Sequence, residues 1–253
     1  VWVAGSQTWL KDSAALVNYA GDQTGVTVGA DHKFWPNLVL GVAVTHENLD
    51  ISTYFNGGRL ESNGTTVAPY VVWTIGGPFS LDATAGYTRS DIDQTYAPAL
   101  VVGGVHASTH SHRGMFAGNL NYTSFVDDWI LGGKVGTLLV AERVGSFTDS
   151  AGFSYEHQTN TLGQLQVGPN VSRIASWGSY GVSAAYLYDY NHLETVSPPG
   201  GARPSIDRDG VQLTGNLNAT VSKGVALNLT LSREFLRDNV HNTNVAAMLA
   251  ISF

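Results

Sequence analysis

Hydrophobic residues recur at every second position over most of this chain. Between Val211 and Ser222 one face reads Val211, Leu213, Gly215, Leu217, Ala219 and Val221, and the other Gln212, Thr214, Asn216, Asn218, Thr220 and Ser222. Val225, Leu227, Leu229 and Leu231 alternate with Ala226, Asn228, Thr230 and Ser232. Phe79, Leu81, Ala83, Ala85 and Tyr87 alternate with Ser80, Asp82, Thr84, Gly86 and Thr88, and Val245, Ala247, Leu249, Ile251 and Phe253 close the chain. A period of two puts successive side chains on opposite faces, so these segments are β-strands with one apolar face each.

Turn signals separate twelve such segments, at 1–10, 23–34, 38–51, 64–76, 79–93, 112–126, 129–146, 157–175, 179–193, 206–222, 225–237 and 242–253. No linker divides them, so residues 1–253 are read as one all-β domain. The connections are of two kinds. Trp35-Pro36-Asn37, Gly76-Gly77-Pro78, Asp127-Asp128, Ser176-Trp177-Gly178 and Lys223-Gly224 are tight turns. Longer polar loops fall between them: Lys11–Asp22, Ser52–Asn63, Gln94–Ser111, Phe147–Glu156, Glu194–Ser205 and Arg237–His241. Short and long strictly alternate, which in an up-and-down sheet collects the tight turns at one end and the loops at the other. An even strand count leaves both chain ends at the tight-turn end.

A soluble sandwich also alternates apolar and polar residues, but three features separate this chain from one. Its polar face is mostly Asn, Gln, Ser, Thr and Gly rather than Lys and Glu. Trp2, Trp35, Trp73, Trp129 and Trp177 gather at the tight-turn end, while Trp9, Tyr54, Tyr87, Tyr188 and Tyr190 lie nearer the loops; paired aromatic girdles around an apolar band are what a bilayer interface selects. In hydrocarbon every backbone polar group must be paired, and a closed barrel does this with no free edge. The prediction is a single closed antiparallel transmembrane β-barrel of about twelve strands.

Composition sharpens this. Charged residues make up 13% of the chain, roughly half the ~25% of ordinary soluble domains. The missing charge has not become a membrane helix: the densest apolar stretch, Leu38–Val44, falls far short of the ~20 residues needed. Net charge is −7 with no Lys/Arg cluster, which argues against nucleic acid as a partner. Cysteine is absent, which removes disulfides and thiolate metal sites. Val1–Asp12 has neither the basic start nor the apolar core of a signal peptide, so export would require a segment upstream.

Val1-Trp2-Val3-Ala4-Gly5, then Gly25-Val26-Thr27-Val28-Gly29-Ala30-Asp31, then a turn and Leu40-Gly41-Val42-Ala43-Val44, resembles the start of the autotransporter β-domain family, and terminal Phe253 resembles its end. The resemblance covers the whole chain. It implies an outer-membrane translocator barrel that anchors an N-terminal passenger and assists its passage to the cell surface. It also implies that assembly machinery reads the last strand, here Leu249, Ile251 and Phe253. Two departures stand out: Thr45-His46 replaces an aromatic near the end of the third strand, and the helix that usually precedes the first strand either lies upstream of Val1 or is lacking in this member. The alternative is a self-standing narrow pore or surface adhesin.

Geometry is compatible with the first role. Twelve strands ~4.8 Å apart and tilted ~40° give a backbone diameter near ~24 Å, and inward side chains reduce the bore to ~10 Å, about one helix. Asp31, Glu47, Asp82, Lys134, Asn216, Asn218 and Asn228 are expected to line it. Ala246, Ala250 and Ser252 beside Met248 are small enough to leave it open.

Other chemistry reads weakly. His106, His110 and His112 in the third long loop could gather a metal, but a solvated loop tip is the simpler reading. Asp91 with Asp93, and His192 with Glu194, stand at i, i+2 at strand ends and could converge as an acid/base site, although no motif singles them out. The expectation is no enzyme activity, no cofactor and no metal.

Overall fold

A strand in a membrane barrel needs a hydrogen-bonding neighbour on each side, and the simplest way to supply both is to pair each strand with the next and the last with the first. The computed structural model, which describes residues 1–13, 18–97, 104–193, 208–237 and 239–252, has this arrangement. The strands are β1 (Trp2–Asp12), β2 (Tyr19–Trp35), β3 (Leu38–Thr53), β4 (Gly58–Gly76), β5 (Phe79–Tyr96), β6 (Val105–Val126) and β7 (Trp129–Val144), then two short ones, β8 (Phe147–Thr148) and β9 (Ser154–Tyr155). They continue as β10 (Gln158–Ala175), β11 (Gly178–Leu193), β12 (Asp209–Ser222), β13 (Val225–Phe235) and β14 (Val240–Ile251). All except β8 and β9 form one closed antiparallel barrel of twelve strands.

Closure is made by β1 and β14, in register from Trp2↔Ala250 to Asp12↔Val240. The Val1 ammonium donates to the Ile251 carbonyl at 3.0 Å, and the Ile251 N–H donates to the Val1 carbonyl at 2.8 Å. The tight turns lie together at this end. At the Lys223-Gly224 turn, Gly224 adopts φ +78°, where an added Cβ would stand 2.8 Å from the Ser252 carbonyl. Only glycine meets both conditions without strain.

The strands run further toward the loop end than alternation of apolar residues foretells. β2 begins at Tyr19, β4 at Gly58 and β6 at Val105, because paired strands continue to satisfy each other's backbone after the apolar stripe has ended. The last barrel strand is shifted the same way, to Val240–Ile251, whereas β7 and β13 stop two residues short at the loop end, at Val144 and Phe235. The Phe147–Glu156 segment, expected as a plain loop, contains the β8–β9 hairpin. β7 stops pairing with β6 at Ser111↔Val144, which leaves the β6 edge from Val105 to His110 without a strand. The hairpin region covers it: Gly145 N–H donates to the His110 carbonyl at 2.8 Å, Ser150 N–H to the His106 carbonyl at 2.9 Å, and His106 N–H to Ser150 Oγ at 3.0 Å. An open edge is thereby blocked.

Side-chain contacts fix which face is inside. Arg113 on β6 pairs with Glu47 on β3, with two strands between them, and Trp2 on β1 reaches Tyr70 on β4. Such contacts can only cross the lumen. The outer face carries Val28, Val182, Leu231 and Val135, all more than half exposed. The apolar face of each strand is therefore the outer one and the polar face lines the lumen, the reverse of a soluble barrel.

Candidate functional site

The lumen is where the barrel concentrates its polar chemistry. Residues on the inward face of each strand build it in three tiers. At the tight-turn end Trp2 Nε1 donates to Tyr70 Oη at 2.9 Å, and Tyr70 Oη donates to Asp31 Oδ2 at 2.8 Å. On the adjoining wall Asp82 accepts from Asn119 Nδ2 at 2.7 Å and Asn121 Nδ2 at 2.6 Å. Opposite, Asn228 Nδ2 donates to Asn218 Oδ1 and Thr230 Oγ1 donates to Asn228 Oδ1 at 3.2 Å. Asn216 shares this face, in register with Gly181 and Thr230.

The middle tier centres on the Arg113–Glu47 ion pair, with side chains 28% and 16% exposed. Gln23 Nε2 adds a 2.9 Å bond to Glu47, and Thr66 Oγ1 and Thr88 Oγ1 lie 2.7 Å apart beneath it. Charge and polar burial are matched, as a buried ion must be.

From Lys134, in register with Asn121, a chain of contacts climbs the wall toward the loops. Lys134 Nζ donates to Gln166 Oε1 at 3.1 Å, Gln166 Nε2 to Gln164 Oε1 at 2.9 Å, and Gln164 Nε2 to Asp189 Oδ1 at 2.8 Å. Arg237 grips Asp189 with both terminal nitrogens, at 2.6 and 3.0 Å, and pairs with Glu234, which accepts from Asn242 Nδ2 at 2.9 Å. Five barrel strands, β7, β10, β11, β13 and β14, are tied together by side chains alone. Asp189 and Glu234 are nearly inaccessible.

All seven residues expected in the lumen face it. The sequence reading missed Arg113, Asp189, Glu234 and Arg237, although the alternation already puts Arg113 opposite the outward Gly114 and Glu234 opposite the outward Phe235. Among the girdle residues, Trp35, Trp73, Trp129 and Trp177 stand on the outer face, 43–64% exposed. Trp2 does not. It lies inside, over Gly29, where a Cβ would come within 2.2 Å of its ring. The glycine supplies the room and Tyr70 the hydrogen bond that turn an aromatic belt residue into a lumen residue.

The remaining candidates separate. Leu249 and Ile251 face outward, each 38% exposed, and Phe253 lies outside the described residues. His106, His110 and His112 are not on a loop tip but on the outer face of β6, because β6 extends to Val105. Among the described residues no group of three His, Cys, Asp or Glu side chains could hold a metal ion. Asp91 and Asp93 face outward, not into the lumen. Glu194 and the His192 side chain lie outside the described residues.

Asp149, in the β8–β9 hairpin rather than in a barrel strand, is 5% exposed. Burial acts to raise its pKa, but is outweighed by donors: Tyr96 Oη, the backbone N–H groups of Phe153 and Ala151 (2.9 Å each) and Tyr155 Oη at 3.3 Å. Its carboxylate is held below the ordinary aspartate value.

The model of the autotransporter β-domain family matches residues 1–232. The chain belongs to this family. No curated protein sequence matches it. The solved structures that resemble this autotransporter β-domain include the translocator domain of NalP from Neisseria meningitidis, with a TM-score of 0.86 at 13% identity, covering 100% of this chain and 88% of that one. The β-domain of the Bordetella autotransporter BrkA gives 0.79 at 18%, covering 100% and 98%. The transport unit of AIDA-I from Escherichia coli gives 0.65 at 13%, covering 100% and 89%. At these identities the likeness is one of fold, and it supports the closed twelve-strand architecture of this β-domain.

Proposed function

We propose that this autotransporter β-domain is an outer-membrane translocator barrel, which anchors a linked passenger and assists its passage to the cell surface. The observation that carries the reading is the pairing of an apolar outer wall with a polar lumen in a chain of this family. The bilayer is the partner of the outer wall, with the loops at the cell exterior and both chain ends at the periplasmic side. The barrel-assembly machinery is the partner of β14, through Leu249, Ile251 and Phe253. In this reading the barrel is a conduit and an anchor rather than an enzyme, and it uses no cofactor.

The lumen suits a passing chain because its ion pairs and many of its amides are already committed to one another, Asn216 Oδ1 being a buried exception. A segment in transit therefore meets few open groups, so no single register holds it. The test fuses a protease-sensitive epitope upstream of Val1, behind a signal peptide, in Gram-negative cells. The epitope is expected to be cleaved by protease added to intact cells. A barrel that inserts while its epitope stays protected would favour the free-standing pore instead.

A further inference from the structure

The outer wall changes character abruptly on three adjacent strands. Phe79, Leu81, Ala83, Ala85 and Tyr87 of β5, Tyr122, Leu120, Phe116 and Gly114 of β6, and Leu131, Val135, Leu139 and Ala141 of β7 face outward and are followed, one outward step later, by Arg89, His112 and Arg143. These three are cross-strand neighbours in one row: Arg89 opposite His112, and His112 opposite Arg143. Phe79 to Arg89 is ten residues, or ~26 Å along the membrane normal at a ~40° tilt, which matches the ~25 Å apolar band of an outer-membrane barrel. The row therefore lies at the bilayer surface on the loop side.

Both arginines are exposed, and neither makes an ion pair or hydrogen bond among the described residues. Elsewhere on the outer wall arginines are engaged: Arg59 pairs with Asp50 and Glu61, Arg173 stacks 5.6 Å from Trp129, and Arg233 stacks 5.3 Å from Phe235. Between the free pair, Tyr87 Oη and His112 Nδ1 share a 2.8 Å hydrogen bond, and His110 packs edge-on to His112 at 5.5 Å. Asp91 stands opposite His110 one step further from the bilayer.

We propose that Arg89, His112 and Arg143 form a docking site for the phosphorylated headgroup of lipid A in the outer leaflet. The inference rests on the outer-membrane reading above. With the strands ~4.8 Å apart, the row spans ~10 Å and presents two planar guanidinium forks at the depth of the headgroups. A phosphate monoester carries close to two negative charges and three acceptor oxygens, which two forks bind better than they bind a singly charged phosphodiester. The apolar wall directly below, from Tyr87 to Phe79, receives the acyl chains.

The experiment titrates the folded protein in dodecyl maltoside with lipid A carrying its phosphates, with dephosphorylated lipid A and with phosphatidylglycerol, and reads occupancy by native mass spectrometry. Folding is checked separately by heat-dependent SDS mobility, and membrane insertion by recovery with vesicles. Phosphorylated lipid A is expected to bind roughly tenfold more tightly than either other lipid, and the double variant Arg89→Gln/Arg143→Gln to lose that preference. Arg173→Gln, at the opposite end of the barrel, is expected to keep it. Equal binding of the three lipids by the unmodified protein would overturn the inference without reference to any variant, as would an undiminished preference in a folded double variant. Failure to insert into vesicles would instead overturn the outer-membrane reading itself.

Discussion

At the scale of single residues, adjacent positions have opposite surroundings. Leu229 is on the outer wall, 40% exposed, about four residues above the Lys223-Gly224 turn and so inside the apolar band; Asn228 faces the lumen. Arginine facing lipid near mid-bilayer costs roughly 2–4 kcal/mol, whereas in a hydrated bore it keeps its water. Leu229→Arg is expected to lower the unfolding free energy in lipid vesicles by a few kcal/mol and Asn228→Arg by clearly less, as measured by reversible denaturant titration. Equal losses would contradict the assignment of faces. Gly29 makes a second case. A side chain there must displace the Trp2 indole, so Gly29→Val is expected to break the Trp2–Tyr70 hydrogen bond and cost about 1–3 kcal/mol as overpacking. Trp2 emission in a variant lacking the other tryptophans reports the displacement.

At the scale of elements, the β8–β9 hairpin depends on one carboxylate. Because the Asp149 pKa is depressed in the folded state, its contribution is complete above the unfolded value of ~3.9 and is lost as pH falls through the folded value. The amide resonances of Ala151 and Phe153, both of which donate to Asp149, are expected to shift with a midpoint below ~3.9. A midpoint at or above ~3.9 would mean that the donors do not hold the carboxylate. The closing strand carries a different dependence. Leu249 and Ile251 extend the outer apolar face of β14 toward Phe253, so Phe253→Asp is expected to reduce outer-membrane insertion more than Ser252→Asp, measured as the heat-shifted fraction in membranes.

At the scale of the whole molecule, pairing of β1 with β14 leaves no barrel edge from which unfolding can start. The folded barrel is expected to resist SDS at room temperature and to change mobility only after boiling. Identical migration of boiled and unboiled refolded protein would count against closure. The side-chain ties from Lys134 through Asp189 and Arg237 to Asn242 stiffen five strands at the loop end. Asp189→Ala leaves the Arg237 guanidinium, 12% exposed, without its bidentate partner. It is expected to lower the boiling-shift temperature more than removal of an exposed carboxylate such as Asp50.

The alternation of residues by itself determined the number of barrel strands, the sign of each face and the grouping of tight turns at one end, because a strand's two-residue period is a local property of the backbone. Lumen positions such as Asn218 and Asn228 were legible for that reason, and Trp2 was legible too, since Val1 and Val3 already occupy the outward beat. What the pattern could not carry is the distance between residues far apart in sequence. Arg113 meets Glu47 across 66 positions, and Trp2 meets Tyr70 across 68; both depend on how the strands stagger when the barrel closes. The same stagger brings Arg89, His112 and Arg143 into one row and leaves the β6 edge for the hairpin to cover. Register between strands, which no local period encodes, decided the ion pairs, the partner that Trp2 meets and the alignment of the free cations on the outer wall.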